Sequence, residues 1–302
     1  MNCLLARGKC ATIAWNVDTG TWTGAVVLVV LSMRVSIHTN VDILEATMNH
    51  QFRQRLRDGE LLVGTLATLP APEIAEILAD LLFDWLFVDT EHGSFGALNA
   101  QALLQAAGSR CPCLVRVPAG QDVWIKKALD IGAAGVIVPQ VNSVEQAERV
   151  VRLCKYPPEG ARGVGIARAH GYGLQFQEYV ETANEAVAVV IQVEHADALE
   201  NVGAIVSVPG IDAVLIGPYD LSASLGKMGE VDHPDVLDAI SRIRDACLAA
   251  RVRLGAFGVD AAAVRPFIEQ DFTLIAVGTD MLFLIQGAAE ALSQISEAQA
   301  LP

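Results

Sequence analysis

Two carboxylates are the residues most able to do chemistry, because each follows a short apolar segment. Residues 187–194 are rich in valine and end in Gln192 and Glu194, and a second apolar run, residues 211–216, is followed by Asp220. Such runs predict strands that are buried on both faces. Since an unpaired buried charge is costly, we expect each carboxylate at a C-terminal strand end, beside a partner. We interpret Glu194 and Asp220 as ligands of one divalent cation.

Two carboxylates completed by water suit a hard cation, which predicts Mg2+ or Mn2+, with Co2+ as a further candidate. No Cys and His cluster has the spacing of a closed zinc site. A Schiff-base enzyme would need a lysine on a strand beside its substrate, whereas all four lysines of residues 48–302 fall on predicted helices or loops. Metal-assisted chemistry is therefore favoured. The alternative is that Glu194 and Asp220 are unrelated surface carboxylates.

Polar groups also follow other predicted strands. Asp89 and His92 follow the second strand, Arg116 ends the third and Gln140 follows the fourth. Each has an ordinary explanation on its own: Asp89 could cap a helix, His92 could be a loop histidine, and Arg116 could pair with a surface carboxylate. Five of the eight predicted strand ends carry such groups, however. We interpret them together as the lining of one site.

The elements that must position these residues alternate between strand and helix from Phe52 onward. Eight short apolar strands separated by helical patterns predict a (β/α)8 (TIM) barrel, in which C-terminal strand ends surround the active site. The alternative is a doubly wound open sheet, but no Gly-x-Gly-x-x-Gly follows the first strand. Residues 156–184 are predicted to be an irregular, functional loop. The predicted strands are residues 61–66, 85–89, 113–116, 135–139, 187–194, 211–216, 253–256 and 273–277.

Composition limits the class of protein. Of 302 residues, 52% are hydrophobic and 19% charged, which is typical of a globular chain. The formal net charge of −14 argues against nucleic acid and anionic membranes as partners. Six scattered cysteines suit a reducing compartment, so we expect a cytoplasmic protein.

Residues 1–47 look unlike the rest of the chain. Their apolar run, residues 24–31, is far shorter than the ~20 residues that span a bilayer, and its flanks do not suit a signal peptide. We expect these residues to be an extension without chemistry, with Met48 as an alternative start. Residues 48–302 would then form the enzymatic domain.

Five stretches occur in one order at the predicted strand ends. They are Phe-Asp-Trp-Leu-Phe-Val-Asp-Thr-Glu-His (83–92), Val-Arg-Val-Pro (115–118), Val-Pro-Gln-Val (138–141), Gln-Val-Glu (192–194) and Gly-Pro-Tyr-Asp-Leu-Ser (217–222). Together they resemble the metal-dependent (class II) pyruvate aldolases of the HpcH/HpaI type. Members of that family include 4-hydroxy-2-oxoheptanedioate aldolase and 2-dehydro-3-deoxyglucarate aldolase. The resemblance runs over about residues 52–295.

The resemblance implies binding roles for four residues. Glu194 and Asp220 match the metal ligands of the family, and Gln192 matches a glutamine that binds substrate. The backbone at Tyr219, beside Asp220, matches the place where the carboxylate of the oxo acid binds.

The resemblance also implies catalytic roles and an assembly. His92 matches the catalytic histidine, Asp130 matches the carboxylate that pairs with it, and Arg116 matches the arginine that stabilises the enolate. The family forms homo-oligomers, typically hexamers that are trimers of dimers and exchange the last helix, here residues 280–295.

The implied reaction cleaves a 4-hydroxy-2-oxo acid into an aldehyde and pyruvate or a close 2-oxo acid, or forms it from these two compounds. The cation acts as a Lewis acid, His92 activates a water for removal of a methyl proton, and Arg116 holds the enolate oxygen. Residues 90–95 depart from the family's usual Gly-Glu-His-Ala/Ser-Pro-Asn. The aldehydes of named members therefore need not transfer.

Three alternative functions stay open. A lyase of citryl- or malyl-thioesters would need basic groups for the CoA phosphates, for which only Arg162 and Arg168 are candidates, and cleavage of a CoA thioester would identify it. A phosphate-binding barrel isomerase could use Gly255 and Gly278 near the last two strand ends. An oligomeric binding scaffold would lack metal-dependent proton exchange at the methyl of pyruvate.

Overall fold

The protein is described from a computed structural model, which covers residues 51–299; the predicted extension, residues 1–47, lies outside the described residues. The described chain forms a closed barrel of eight parallel strands in sequence order, with the eighth strand bonded to the first. The (β/α)8 prediction is therefore confirmed. The strands are β1 Leu62–Ala67, β2 Trp85–Asp89, β3 Cys113–Arg116, β4 Gly135–Val138, β5 Ala188–Val193, β6 Ala213–Ile216, β7 Arg253–Gly258 and β8 Leu274–Thr279.

Helices surround this barrel, and none of those within residues 51–299 is long and apolar enough to cross a bilayer. Besides the helical residues 51–58, the helices are α1 Pro72–Asp80, α2 Ala97–Ala107, α3 Asp122–Asp130, α4 Val144–Cys154, α5 Phe176–Ala186, α6 Ala196–Val206, α7 Pro218–Ser224, α8 Pro234–Ala250, α9 Ala261–Ile268 and α10 Asp280–Gln299.

One element of the prediction is wrong. Residues 156–184, predicted as an irregular loop, contain a 3-10 turn at Arg168–Gly173 and most of α5. Ala183 is the one buried residue of α5. The helical signal was present in the sequence, because Phe176, Tyr179, Val180 and Ala183 follow the i, i+3, i+4, i+7 spacing of an apolar helix face. The prediction missed it.

Alternation along the strands decides which side chains enter the barrel. In β2, Trp85 and Phe87 pack in a cluster inside the barrel, whereas Leu86 and Val88 belong to the larger cluster between strands and helices. The next inward position in β2 is Asp89. The strand therefore carries an apolar interior and ends in a carboxylate at the C-terminal end of the barrel.

Residues 51–58 are helical and close the N-terminal end of the barrel. Phe52 and Leu56 lie one helical turn apart and are buried in the cluster inside the barrel. Between them, Arg53 Nε donates to Asp212 Oδ2 at 2.9 Å, just before β6. The same oxygen of Asp212 accepts from the backbone N–H of Val189. This ion pair joins the closing helix to two strands.

Candidate active site

Strand β5 brings Gln192 and Glu194 to the C-terminal end of the barrel. Ala188 and Val190 pack inside the barrel, so Gln192 and Glu194 continue on the same side. Both side chains are buried. Gln192 Nε2 donates to Glu194 Oε2, and the backbone N–H of Gln140 donates to Glu194 Oε1 at 3.0 Å. Each oxygen of this carboxylate is thus positioned by one hydrogen bond.

Two backbone features bring other chain segments close to Glu194. Gln140 has a φ of 54°, in the left-handed region that costs a non-glycine residue energy, and its N–H points at the carboxylate. A Cβ on Gly217 would lie 2.7 Å from Glu194 Oε2, so the start of α7 can approach only because Gly217 lacks one. Asp220 then lies in the first turn of α7.

The electrostatics of Glu194 indicate a cluster of negative charge. Burial, and after it the charges of Asp220 and Glu91, raise the pKa of Glu194 to about 7 against the opposing hydrogen bonds from Gln140 and Gln192. Carboxylates that share a site repel one another, and a cation between them removes that repulsion.

These residues fit a hard divalent cation held by Glu194 and Asp220. Gln192 Oε1 is buried and has no hydrogen-bond partner in the described chain, so a polar ligand is expected beside it. Within residues 51–299, no three or more His, Cys, Asp or Glu side chains are arranged as a metal site. The protein would therefore supply two carboxylates and leave the other positions to water and substrate, as Mg2+ prefers. The identity of the ligands stays a prediction.

Arg116 is held beside this cluster by Asp89. The two residues are register partners on β2 and β3, and Arg116 donates from Nε and Nη2 to Asp89 Oδ1 and Oδ2 at 2.9 and 2.7 Å. Burial alone would raise the pKa of Asp89, but the hydrogen bonds and charge of Arg116 outweigh it and lower that pKa. The Nη1 group of Arg116 has no hydrogen bond in the described chain. Its N–H groups are free to meet a developing oxyanion.

Glu91 is a site residue that the sequence prediction omitted. Its Oε2 lies 3.3 Å from Arg116 Nε and 3.9 Å from His92 Nε2. Burial raises the pKa of Glu91 more than the nearby Arg116 lowers it. A signal was present in the sequence, because Glu91 belongs to the polar run Asp89-Thr90-Glu91-His92 that follows the second predicted strand. Alternation could not place it, since β2 ends at Asp89.

The N–H groups at the start of α7 provide a place for an anionic group. Tyr219 and Asp220 lie in the first turn, where helix N–H groups have no partner within the helix. Neither backbone N–H makes a hydrogen bond to another described residue. The Tyr219 side chain is exposed. The role of the Tyr219 backbone in binding a carboxylate stays a prediction.

The structure places the predicted pair, His92 and Asp130, apart. His92 follows β2 at the C-terminal end of the barrel, and its side chain is 72% exposed. Asp130 ends α3, which runs back to the N-terminal end, where β4 begins at Gly135. There Arg162 Nη2 donates to Asp130 Oδ1 at 3.1 Å. Within one chain these two residues lie at opposite ends of the barrel.

The thioester-lyase alternative loses one of its two candidate arginines, and the isomerase alternative loses both of its glycines. Arg162 is fully buried and also donates to the hydroxyl of Tyr179, so it is not available to a CoA phosphate. Arg168, the other arginine, is half-buried and donates from Nη1 to the Ile131 carbonyl. Gly255 lies within β7, where a Cβ would come 2.9 Å from the Leu215 side chain. A Cβ on Gly278 would come 2.5 Å from a phenylalanine ring. Both glycines therefore make room for neighbouring side chains.

The chain is similar to known proteins over most of its length. A family model described as HpcH/HpaI aldolase/citrate lyase matches residues 64–287. A hydroxypyruvate/pyruvate aldolase of Paraburkholderia phytofirmans is 35% identical over 258 residues, which cover 83% of this chain and 99% of that protein. A 4-hydroxy-2-oxovalerate aldolase of Novosphingobium aromaticivorans is 37% identical over 254 residues, which cover 82% and 95%.

A solved structure agrees with these matches. The crystal structure of an HpcH/HpaI aldolase/citrate lyase family protein from Burkholderia cenocepacia is similar to the fold with a TM-score of 0.79. The sequence identity is 37%, and the match covers 82% of this chain and 99% of that one.

Proposed function

Because this chain belongs to the HpcH/HpaI aldolase/citrate lyase family, we infer that it is an aldolase, a carbon–carbon lyase, and propose a 4-hydroxy-2-oxo acid as its substrate. Cleavage would yield pyruvate, or a close 2-oxo acid such as hydroxypyruvate, and an aldehyde. The relatives named for hydroxypyruvate/pyruvate and for 4-hydroxy-2-oxovalerate support this class of substrate. A divalent cation, Mg2+ or Mn2+ with Co2+ as a further candidate, is proposed as the cofactor.

One observation carries the proposal. A carboxylate cluster that suits a cation lies beside an arginine whose Nη1 group is free in the described chain. The charges of Asp220 and Glu91 help to raise the pKa of Glu194. The charge of Glu194 in turn helps to raise the pKa of Arg116. An enolate needs such an arrangement, since negative charge develops on one oxygen and must be met by groups that are already oriented.

Each residue near the site has a chemical task in this proposal. A bound cation supplies Lewis-acid polarisation of the keto group. Arg116, kept charged and oriented by Asp89, donates from Nη1 to the oxygen that becomes negative. The N–H groups of Tyr219 and Asp220 bind the carboxylate of the oxo acid. His92, exposed beside the site, moves the proton between water and the substrate.

Removal of the metal tests the proposal directly. We expect the protein to join pyruvate or hydroxypyruvate to at least one aldehyde of a panel of short, hydroxylated and dicarboxylate-derived aldehydes. EDTA should lower the rate at least about 100-fold, because the keto group loses its polarising charge, and Mg2+ or Mn2+ should restore it. Undiminished turnover in EDTA, or cleavage of CoA thioesters in place of free oxo acids, would contradict the proposal.

The loop after β2 should affect the choice of aldehyde. A Cβ on Gly93 would lie 2.1 Å from the Asp89 carbonyl oxygen and 2.8 Å from the Phe95 ring, so Gly93→Ala must displace the loop that carries His92. We expect a loss of kcat/KM of about tenfold to 100-fold, unequal among aldehydes, because a shift of about 1 Å is costly in catalysis. Gly96→Ala is the matched control, since a Cβ there meets nothing within 4 Å. Equal kinetics for both variants would contradict this role.

We also propose a homo-oligomer, a hexamer that is a trimer of dimers, in which the two copies of each dimer exchange α10. Asp280 at the start of α10 is buried and accepts from the backbone N–H groups of Thr68 and Leu69, but residues 284–296 are exposed. Apolar patches of this extent usually bind another surface. The large exposed apolar side chains on α10 are Met281, Phe283, Leu284, Ile285, Leu292 and Ile295; Ile77 on α1 and Leu81, which directly follows α1, are also exposed.

The positions of His92 and Asp130 give a test of this assembly. If they act as a pair, Asp130 must come from a second copy, because the two lie at opposite ends of one barrel. His92→Ala and Asp130→Ala should each be nearly inactive, and co-expression with two affinity tags should restore about 25% of the sites in random dimers. His92→Ala with Arg116→Ala is the matched control, since both residues belong to the same site. No recovery in the first pair would rule out a shared site.

A further inference from the structure

A cleft at the N-terminal end of the barrel has the opposite charge to the protein as a whole. It has a volume of about 530 Å³, which is within the range of small-molecule sites. It lies between the helix of residues 51–58 and the turns that precede β6 and β7. The candidate active site is at the other end of the barrel. The charged residues of the cleft are four arginines and one aspartate: Arg53, Arg57, Arg251, Arg253 and Asp212.

One of the four positive charges is neutralised within the chain. Arg53 pairs with Asp212 at 2.9 Å, and both side chains are buried. Arg57 Nε is 3.8 Å from the other oxygen of Asp212, and its side chain is 53% exposed. Arg253 donates to the backbone carbonyl of Arg57, which carries no charge. The Arg251 side chain makes no hydrogen bond or ion pair within residues 51–299.

Three guanidinium groups therefore line one cleft with no carboxylate of their own. Like charges that are held together cost free energy, and the cost is removed when an anion joins them. The forked N–H groups of arginine match the oxygen atoms of phosphate and carboxylate two at a time. The chain has a net charge of −14, so its surface is negative on average. This cleft, in contrast, is positive.

Neutral donors lie on the same lining. The turn before β6 contributes Gly210 and Ile211 to the cleft. Neither backbone N–H makes a hydrogen bond to another described residue. Gly210 has a φ of 100°, a conformation in which glycine is favoured. Free N–H groups beside arginines are typical of protein sites for oxyanions.

We propose that this cleft binds a small polyanion, a molecule with at least two phosphate or carboxylate groups, through Arg57, Arg251 and Arg253. Arg53 is left out of the proposed binding group because Asp212 neutralises its charge and its Nε and Nη1 groups already donate to Asp212 and to two backbone carbonyls. The cleft has no His, Cys, Lys or Glu among its lining residues, so its role is binding and not chemistry. The proposal does not depend on the aldolase reaction.

Calorimetry on the full chain tests the proposal. Inorganic pyrophosphate and citrate are the two probes, and metal is removed beforehand with a chelating resin, so that neither probe can chelate a cation at the candidate active site. A chloride salt keeps the ionic strength equal in all titrations, because a change in ionic strength would itself weaken or strengthen the binding of anions to arginines. We expect saturable binding of one anion per chain and a rise in Tm with its concentration. Pyrophosphate alone would identify a phosphorylated ligand, citrate alone a polycarboxylate, and both a general polyanion site.

Two matched variants locate the binding. Arg57→Gln/Arg251→Gln removes two charges of the cleft and should weaken binding at least tenfold while aldolase turnover stays at the wild-type value. Arg149→Gln/Arg152→Gln removes two exposed charges on α4 and should leave binding unchanged. The proposal is overturned if wild-type protein binds neither probe, if the cleft variant binds as wild type does, or if the α4 variant loses binding equally.

Discussion

Arg116→Ala should lower kcat for the aldol reaction by about 1,000-fold or more, the scale expected when an oriented donor to an oxyanion is removed. The substitution removes the Nη1 group that has no other partner in the described chain and with it a positive charge that interacts with the charge of Glu194. It also leaves Asp89, which is buried, without its bidentate partner. The effect should fall mainly on kcat, because the charge that Arg116 meets develops in the transition state.

The loss of the Asp89 partner must be separated from the loss of the catalytic charge. Arg116→Ala should lower the free energy of unfolding by about 3 kcal/mol or more, the cost of an unpaired buried charge. The double variant Asp89→Asn/Arg116→Gln replaces the ion pair with neutral groups that can hydrogen-bond, and it should recover stability without recovering turnover. Arg116→Lys keeps the charge but not the bidentate geometry, so its turnover should lie between those of wild type and Arg116→Ala. Wild-type turnover from Arg116→Ala would refute the assignment.

Glu194→Gln should abolish metal-dependent turnover and weaken binding of Mn2+ by about 100-fold or more, because one of the two proposed carboxylate ligands is lost. Titration calorimetry of metal-free protein measures the affinity, and kcat at saturating Mn2+ measures the catalytic loss. Glu145→Gln, an exposed carboxylate at the start of α4, is the matched control of charge. Unchanged Mn2+ affinity in Glu194→Gln would exclude this residue as a ligand.

The pH dependence of stability gives a second measurement on Glu194. Burial and neighbouring carboxylates raise its pKa from 4.5 to about 7 in the folded, metal-free protein. The folded state then holds a proton that the unfolded chain releases, so the stability due to this group is present below pH 4.5 and is lost as the pH rises through 7. Metal-free wild type should lose Tm relative to Glu194→Gln between pH 5 and 8, and Mn2+ should reverse the difference. Parallel Tm curves without metal would contradict the raised pKa.

Much of the fold could be predicted from local patterns. The predicted bounds of β2 and β3 match the structure, and those of β4 and β6 differ by one or two residues at one end. A strand buried on both faces is apolar along its whole length, and this pattern is visible without tertiary information. The helix α5 was missed although Phe176, Tyr179, Val180 and Ala183 have helical spacing. The glycines and arginines that precede it led to the prediction of an irregular loop over the whole of residues 156–184.

The site was predictable as a set of strand ends but not as a set of contacts. Alternation along one strand directs Asp89 inward after Trp85 and Phe87, and directs Glu194 inward with Gln192. It does not reveal that Gln140 adopts a left-handed conformation to donate to Glu194, or that Gly217 lets α7 approach. Those contacts depend on loop conformations, to which no simple period in the sequence corresponds.

The sequence by itself determined the eight strands, the identity of the polar residues at their ends and the side of each strand from which they project, because these are properties of the local backbone and of burial. Only the tertiary structure decided which of these groups meet. The register of β2 against β3 brought Arg116 onto Asp89, the loop after β2 placed Glu91 beside Arg116, and the antiparallel course of α3 put Asp130 at the end opposite His92. Distances between segments far apart in sequence depend on strand register and on loop closure, which alternation within a single strand does not encode.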